Sequence, residues 1–271
     1  MRLRIRHLTT FRYDQPITHA IHALRMMPRR HHGQRIEDWS VTVTGRRQPL
    51  VGHLDGYGTW VHLHTRDGAH DATEIVVSGI VELLDRNGVV SGTDEPLPPC
   101  FFLRQTELTR LDAALAALAA GVPVGGDALG RLHGLMGAIG ERIAVRPAGD
   151  VTRLAAKDAL AAGTGTSQDL AHVMAACAQA LGFPARYVSG YLHDEAAVPQ
   201  QAGHAWTEVH VPDIGWVGFD ATSRSLASDR HVRVAAGLDY WSAAPVRGLW
   251  RGRAEEAQSV MVQVAAAEMT Q

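Results

Sequence analysis

Residues 163–184 read GTGTSQDLAHVMAACAQALGFP and form the most informative stretch of this 271-residue chain. A glycine-rich turn leads into apolar residues at helical spacing, and Gly182 and Pro184 end the predicted helix near Leu181. Ser167 therefore stands where a loop becomes a helix N-terminus. Backbone N–H groups and the helix dipole favour negative charge there, which suits an oxyanion. The same position equally suits an ordinary N-cap serine.

Two β-rich runs, residues 203–211 and 216–220, follow this helix on either side of a Pro/Asp/Gly turn at residues 212–215. If His204 and Asp220 face each other, paired residue numbers sum to 424. That register centres the turn on Pro212, where a proline needs no ladder partner. It also puts Trp206 opposite Gly218 and leaves room for the indole.

In this register the Asp220 carboxylate can orient the His204 imidazole. Each residue alone has an ordinary explanation, as a structural histidine and a strand-end aspartate. Together with Ser167 they predict a nucleophile–His–Asp triad.

The first third of the chain is β-rich, with short alternating runs separated by turn-prone glycines such as Gly45, Gly58 and Gly68. Several short strands at this spacing predict an antiparallel sandwich or small barrel over residues 1–95. The proline-rich stretch 92–99 is the candidate linker.

Helical spacing dominates the part of the chain after this linker. The predicted helices before Ser167 cover residues 108–118, 129–143 and 154–162, and strands return from Ala185 onward. Residues 96–271 are therefore predicted to be a second, α+β unit.

Two segments resemble the core of bacterial transglutaminase-like proteins. Residues 167–172 (SQDLAH) and 182–191 (GFPARYVSGY) are similar to the family motifs G-x-C-Q-D-x-A-H and G-[IF]-P-A-R-Y-V-S-G-Y. His204-Ala205-Trp206 and residues 215–220 resemble the family's His and Asp segments. The opening residues from His7 to Tyr13 and the closing segment around residues 231–248 extend the similarity over nearly the whole chain.

The resemblance implies a papain-like fold, with the helix that carries the nucleophile packed on an antiparallel sheet, and acyl-transfer chemistry on amides. By position, the catalytic roles fall to Ser167, His204 and Asp220. Gln168 and Trp206 are the candidate substrate-binding residues. The resemblance implies a protein or peptide substrate and no cofactor.

Asp169 and His172 also fit the family motif, although helix stabilisation and packing explain them as well. The backbone N–H of Ser167 is a candidate oxyanion donor.

The sequence departs from the family where it matters most, because Ser167 replaces the nucleophilic cysteine. A thiol can ionise near neutral pH at a helix N-terminus, whereas a serine hydroxyl needs a base in the transition state. Three explanations are open: an active serine variant, an inactive homologue that binds peptides or proteins, and an engineered replacement. Thr166, where the family has an apolar residue, is a second adjacent departure and favours natural divergence.

Composition argues against other function classes. A net charge of −2 disfavours bulk binding to nucleic acid or membrane. Cys177 lies on the apolar stripe of the Ser167 helix, and Cys100 has no partner at a known spacing, so neither a disulfide framework nor a cysteine-rich metal site is expected. His62 and His64 could chelate a metal from one strand face, but no familiar ligand spacing supports a metal site.

The N-terminus has no apolar signal-peptide core, and no apolar run is long enough to cross a bilayer. A cytoplasmic, soluble protein is the expectation. The oligomeric state and the choice between hydrolysis and crosslinking stay open.

Overall fold

The computed structural model describes residues 1–46, 48–123, 126–147, 154–194 and 201–267. In chain order the strands are β1 (Arg2–Met27), β2 (Gln34–Val43), β3 (Val51–Leu54), β4 (Trp60–Leu83), β5 (Val89–Val90), β6 (Ala144–Val145), β7 (Thr164–Gly165), β8 (Ala185–Leu192), β9 (His204–Val211), β10 (Gly215–Asp220), β11 (Ser225–Leu226), β12 (His231–Gly237), β13 (Val246–Arg251) and β14 (Glu256–Ala266). The helices are α1 (Ala113–Ala120), α2 (Ala128–Arg142), α3 (Ala156–Ala162), α4 (Ser167–Ala180) and α5 (Tyr240–Ala243), with a 3-10 helix at Pro99–Leu103.

The first sheet is antiparallel and is built around two long strands, β1 and β4. Its order is β13-β1-β4-β2, with β14 also paired to β1 and β3 also paired to β4. The expectation of several short strands is wrong here, because β4 alone runs for 24 residues. Gly68, which the sequence suggested as a turn, lies inside β4 with φ +91°, close to a shift in the register between β1 and β4. It therefore accommodates an irregularity in a continuous strand instead of reversing the chain.

The second sheet has the order β11-β10-β9-β8-β12, with β5 added beside β10. Helix α4 packs on β8 and β9, and α1, α2 and α3 contact it as well. Twelve consecutive residues of α4, from Gln168 to Gln179, are buried for this reason. The predicted α+β class, with a helix packed on an antiparallel sheet after an N-terminal β region, is confirmed.

The predicted helices agree with the structure within about two residues, except for α1. This helix begins at Ala113, five residues after the predicted start at Leu108. The Asp112 carboxylate accepts a hydrogen bond from the backbone N–H of Leu115 at 2.8 Å, which caps the helix and fixes its start.

The predicted boundary after residue 95 stays a prediction, and backbone pairing crosses it in both directions. β13 and β14, from the end of the chain, pair with β1, whereas β5 joins the second sheet beside β10. Within the described ranges, no helix has the length and apolar character needed to cross a membrane.

Candidate active site

Ser167 is the first residue of α4, and Thr166 is the N-cap. The Thr166 hydroxyl accepts from the backbone N–H of Asp169 at 3.4 Å, while the Asp169 carboxylate accepts from the backbone N–H of Thr166 at 2.9 Å. This reciprocal pair is a capping box. The interpretation of Ser167 as an N-cap is therefore wrong, and its hydroxyl is not needed to start the helix.

Asp169 fixes the start of α4 through further contacts. Its carboxylate also accepts from the Thr166 hydroxyl at 2.9 Å and from the backbone N–H of Leu154 at 3.0 Å. Arg146 lies 3.5 Å away. The Asp169 side chain is buried. Its contacts hold the loop that presents Ser167, and this structural role accounts for its match to the family motif.

His204 and Asp220 lie at the start of β9 and the end of β10, and the imidazole Nε2 is 2.8 Å from the carboxylate Oδ2. The register in between is not the predicted one. The observed pairs run from Gly215 with Val211 to Phe219 with Thr207, a sum of 426 instead of 424.

This two-residue shift follows from a turn centred on Asp213. Asp213 and Gly215 both adopt left-handed backbone conformations, with φ +64° and +98°. Because strand side chains alternate with period two, the shift keeps His204 and Asp220 on one face as diagonal neighbours.

Three donors hold the buried Asp220 carboxylate. His204 Nε2 and His231 Nε2 lie 2.8 and 3.2 Å from Oδ2, and the backbone N–H of Thr222 donates to Oδ1 at 2.9 Å. Burial by itself raises the pKa of Asp220, but the two histidines outweigh it and hold the pKa well below its usual range. The carboxylate is therefore an anion that can orient an imidazole.

His231 is the site residue that the sequence did not predict. It is the first residue of β12, and its Nδ1 accepts the backbone N–H of Ser228 at 3.1 Å. Burial lowers the pKa of His231 and favours the neutral ring. Only its place in the family-like closing segment set it apart, because nothing local in the sequence links it to Asp220.

A cleft of about 500 Å³ connects the predicted nucleophile and base. Ser167 and His204 both line it, together with Thr222, Arg146 and Asp194 among the described residues. Its size falls within the range of typical ligand pockets.

The two predicted substrate-binding residues are buried and are not among the described residues that line this cleft. Gln168 instead donates from its amide to the carbonyl of Gly203 at 3.0 Å, which ties the start of α4 to the residue before His204. Trp206 lies behind His204, with ring centroids 6.3 Å apart.

The predicted pairing of Trp206 with Gly218 is wrong, because Gly218 pairs with Glu208. Room for the Trp206 indole is made mainly at another glycine. A Cβ at Gly190 would lie 2.9 Å from the indole and 2.0 Å from the Val232 carbonyl. At Gly218 the tighter obstacle is Ala227, which would lie 2.7 Å from an added Cβ.

Two models of known protein families match this chain. Residues 3–82 match the bacterial transglutaminase-like N-terminal region, and residues 126–221 match the transglutaminase-like superfamily. The chain belongs to the bacterial transglutaminase-like family. The second match contains Ser167, His204 and Asp220.

Relatives of this transglutaminase-like chain align over almost its full length. An uncharacterized protein of Mycobacterium leprae is 25% identical and covers 97% of this chain and 98% of its own length. An uncharacterized Mycobacterium tuberculosis protein is 25% identical over 92% of this chain and 87% of its own. A candidate cysteine protease of Cytophaga hutchinsonii has a solved structure that superposes with a TM-score of 0.78 at 20% identity, over 100% of this chain and 92% of that one. Together with the match of residues 126–221 to the transglutaminase-like superfamily, this likeness confirms the predicted fold.

The two cysteines lie away from the cleft. Cys177 is buried in the core around α4, and burial raises its pKa to about 12. Cys100 is exposed in the 3-10 helix. The prediction that Cys177 is a core residue is confirmed.

Proposed function

We propose that this protein acts on amide bonds, by acyl transfer or hydrolysis, with Ser167 as nucleophile, His204 as general base and acid, and Asp220 as the residue that orients His204. One observation carries the proposal: His204, which lies 2.8 Å from the buried Asp220, lines the same cleft as a serine at the first position of a helix. Protein or peptide substrates are proposed from the family.

The tautomer of His204 follows from its partner. An ionised carboxylate only accepts hydrogen bonds, so Nε2 of His204 carries the proton that faces Asp220. The lone pair is then on Nδ1, which is the nitrogen that takes the hydroxyl proton of Ser167 as the oxygen attacks a carbonyl carbon.

The tetrahedral intermediate would place its negative charge near the first turn of α4. The N–H groups at the start of a helix lack intrahelical acceptors, so those of Ser167 and Gln168 are candidate donors to the oxyanion. His204 then returns the proton to the leaving amine, and the C–N bond breaks to give an acyl-Ser167 ester. Water completes a hydrolysis, whereas a primary amine completes a transfer.

A second candidate function is binding without turnover, and the serine itself favours it. A hydroxyl does not ionise near neutral pH, and a site shaped for the longer C–S bond can hold the oxygen away from the attack position. The protein would then be an inactive homologue that binds peptides or proteins in the same cleft.

Ammonia release from a library of glutamine-containing peptides, with and without a primary amine, tests these proposals. The native protein is compared with Ser167→Ala and Ser167→Cys. Turnover by the native protein that is lost in Ser167→Ala supports catalysis by serine. Turnover by Ser167→Cys alone favours the binding function, with an intact but dormant site. Equal turnover by the native protein and Ser167→Ala would refute the nucleophile.

A further inference from the structure

We propose that His231 is a positioning residue of the triad, which holds Asp220 so that the carboxylate selects one tautomer of His204. The proposal rests on the proposed function, because it takes His204 as the base that serves Ser167. It adds a fourth side chain, His231, to the site. His231 is not among the described residues that line the cleft.

The proton on His231 can be assigned from its two neighbours. Nδ1 accepts the backbone N–H of Ser228 at 3.1 Å, so this nitrogen has the lone pair. In a neutral imidazole the proton is then on Nε2, which donates to Asp220 Oδ2 at 3.2 Å. The backbone of the turn before β12 thus fixes His231 as a donor toward the carboxylate.

His231 and His204 donate to the same oxygen of Asp220 from different parts of the fold. His204 starts β9, whereas His231 starts β12, and their ring centroids lie 5.9 Å apart at an angle of 60°. With the Thr222 N–H on the other oxygen, three donors restrict rotation of the carboxylate. Without His231, Asp220 would be held by Thr222 and by the base that it is meant to orient.

The orientation of Asp220 matters because the wrong tautomer of the base is inactive. If His204 carries its proton on Nδ1, that nitrogen cannot accept a proton from Ser167. A mobile carboxylate allows this tautomer to be populated. Loss of His231 is therefore expected to lower kcat and to leave KM nearly unchanged.

A metal site is the main alternative, because the ligand atoms of His204, Asp220 and His231 all lie within 4.8 Å of one another. The hydrogen bonding argues against it. A histidine that binds a metal ordinarily donates its other ring N–H to an acceptor. His231 instead accepts an N–H from Ser228 on its other nitrogen, so Nε2 has no lone pair for a metal.

Three variants test the proposal. His231→Leu removes the donor, whereas the amide of His231→Gln can still donate toward Asp220. His193→Leu is a matched control, because His193 is equally buried, 8% exposed, and its ring bonds through Nδ1 to the Val264 carbonyl, with no other ring hydrogen bond among the described residues. Urea unfolding of each variant checks that the fold is retained.

The first readout is the ¹⁵N NMR spectrum of the histidine rings, which reports the His204 tautomer without any need for turnover. We expect one Nε2–H tautomer in the native protein, His231→Gln and His193→Leu, and a mixture in His231→Leu. The second readout is kcat, expected to fall about 100-fold in His231→Leu and to recover in His231→Gln.

Two results would overturn the role of His231. One is a His204 tautomer that is unchanged in folded His231→Leu. The other is stoichiometric Zn²⁺ binding by the native protein that His231→Gln abolishes, because it would require the lone pair to be on Nε2. If no amide is turned over by any variant, the proposed function fails, while the NMR result still decides the role of His231.

Discussion

Replacing Glu208 by glutamine should lower the free energy of unfolding of this protein more than the same replacement of a surface glutamate. The Glu208 carboxylate lies in β9 with no exposed surface. It accepts from Arg186 Nε at 2.7 Å and from Arg233 at 2.7 and 3.1 Å. Arg186 also donates to Glu95 at 2.6 and 3.1 Å, and its guanidinium lies 3.9 Å from the Trp216 ring centroid. Two buried cations thus depend on two carboxylates.

The size of the effect follows from the pKa of Glu208. Burial by itself raises this pKa, but Arg233 and Arg186 outweigh it and lower it from 4.5 to about 2. This lowering of the Glu208 pKa corresponds to roughly 3 kcal/mol of stability for the folded state when the carboxylate is ionised. Breaking a buried ion pair by removing one partner costs about 3–5 kcal/mol, which agrees.

Urea unfolding at pH 7 measures this loss directly. Glu82→Gln is the matched control, because Glu82 pairs with Arg35 at 2.7 Å where both side chains are exposed, and it should cost at most about 1 kcal/mol. The Glu208 contribution is complete above pH 4.5 and is lost as the pH falls toward 2, so native protein and Glu208→Gln should converge in stability over that interval. A loss below about 1 kcal/mol at pH 7 would refute the argument that the network depends on this charge.

Two further perturbations address the start of α4 and the contact between the sheets. Asp169→Asn removes half of the capping box with Thr166 and should lower the free energy of unfolding by about 1–2 kcal/mol in urea unfolding; an unchanged stability would contradict the capping role. His7 bonds to Tyr191 Oη at 3.0 Å and to Thr9, and burial lowers its pKa from 6.5 to about 4. Its neutral form therefore contributes roughly 3 kcal/mol above pH 6.5 that is lost as the pH falls toward 4. Unfolding measured between pH 7 and 4.5 should show a smaller loss in His7→Gln, and an equal loss would refute this assignment.

Local signals explain what could be predicted from the sequence. Helix α4 was predicted from its own spacing, glycine and proline, all within one continuous stretch. His204 and Asp220 belong to a single hairpin. The prediction that they lie close together is therefore correct, although the predicted register is wrong by two residues. A shift of one residue would have put them on opposite faces.

Long-range pairing explains what could not be predicted. β13 and β14 lie near the C-terminal end of the chain and pair with β1. The hydrophobic periodicity of a strand does not indicate which distant strand it pairs with. The capping box at Thr166 depends on which of two adjacent hydroxyl residues turns toward Asp169. Either residue is a preferred N-cap, so spacing alone does not separate them.

The buried ion network and the candidate site share the same strands, which links stability to chemistry. Arg186 lies in β8, Glu208 in β9 four residues after His204, and Arg233 in β12 two residues after His231. The charges therefore join β12, which carries His231, to β8 and β9, the two strands that lie between it and β10, which carries Asp220. Glu95 extends the network into the proline-rich stretch, which is thus bonded to the core sheet through Arg186. A change that breaks this network is expected to displace His231 before it disturbs the hairpin that carries His204. The hairpin keeps its register through pairing between strands that are neighbours in sequence, whereas β12 is held by strands that are distant in sequence.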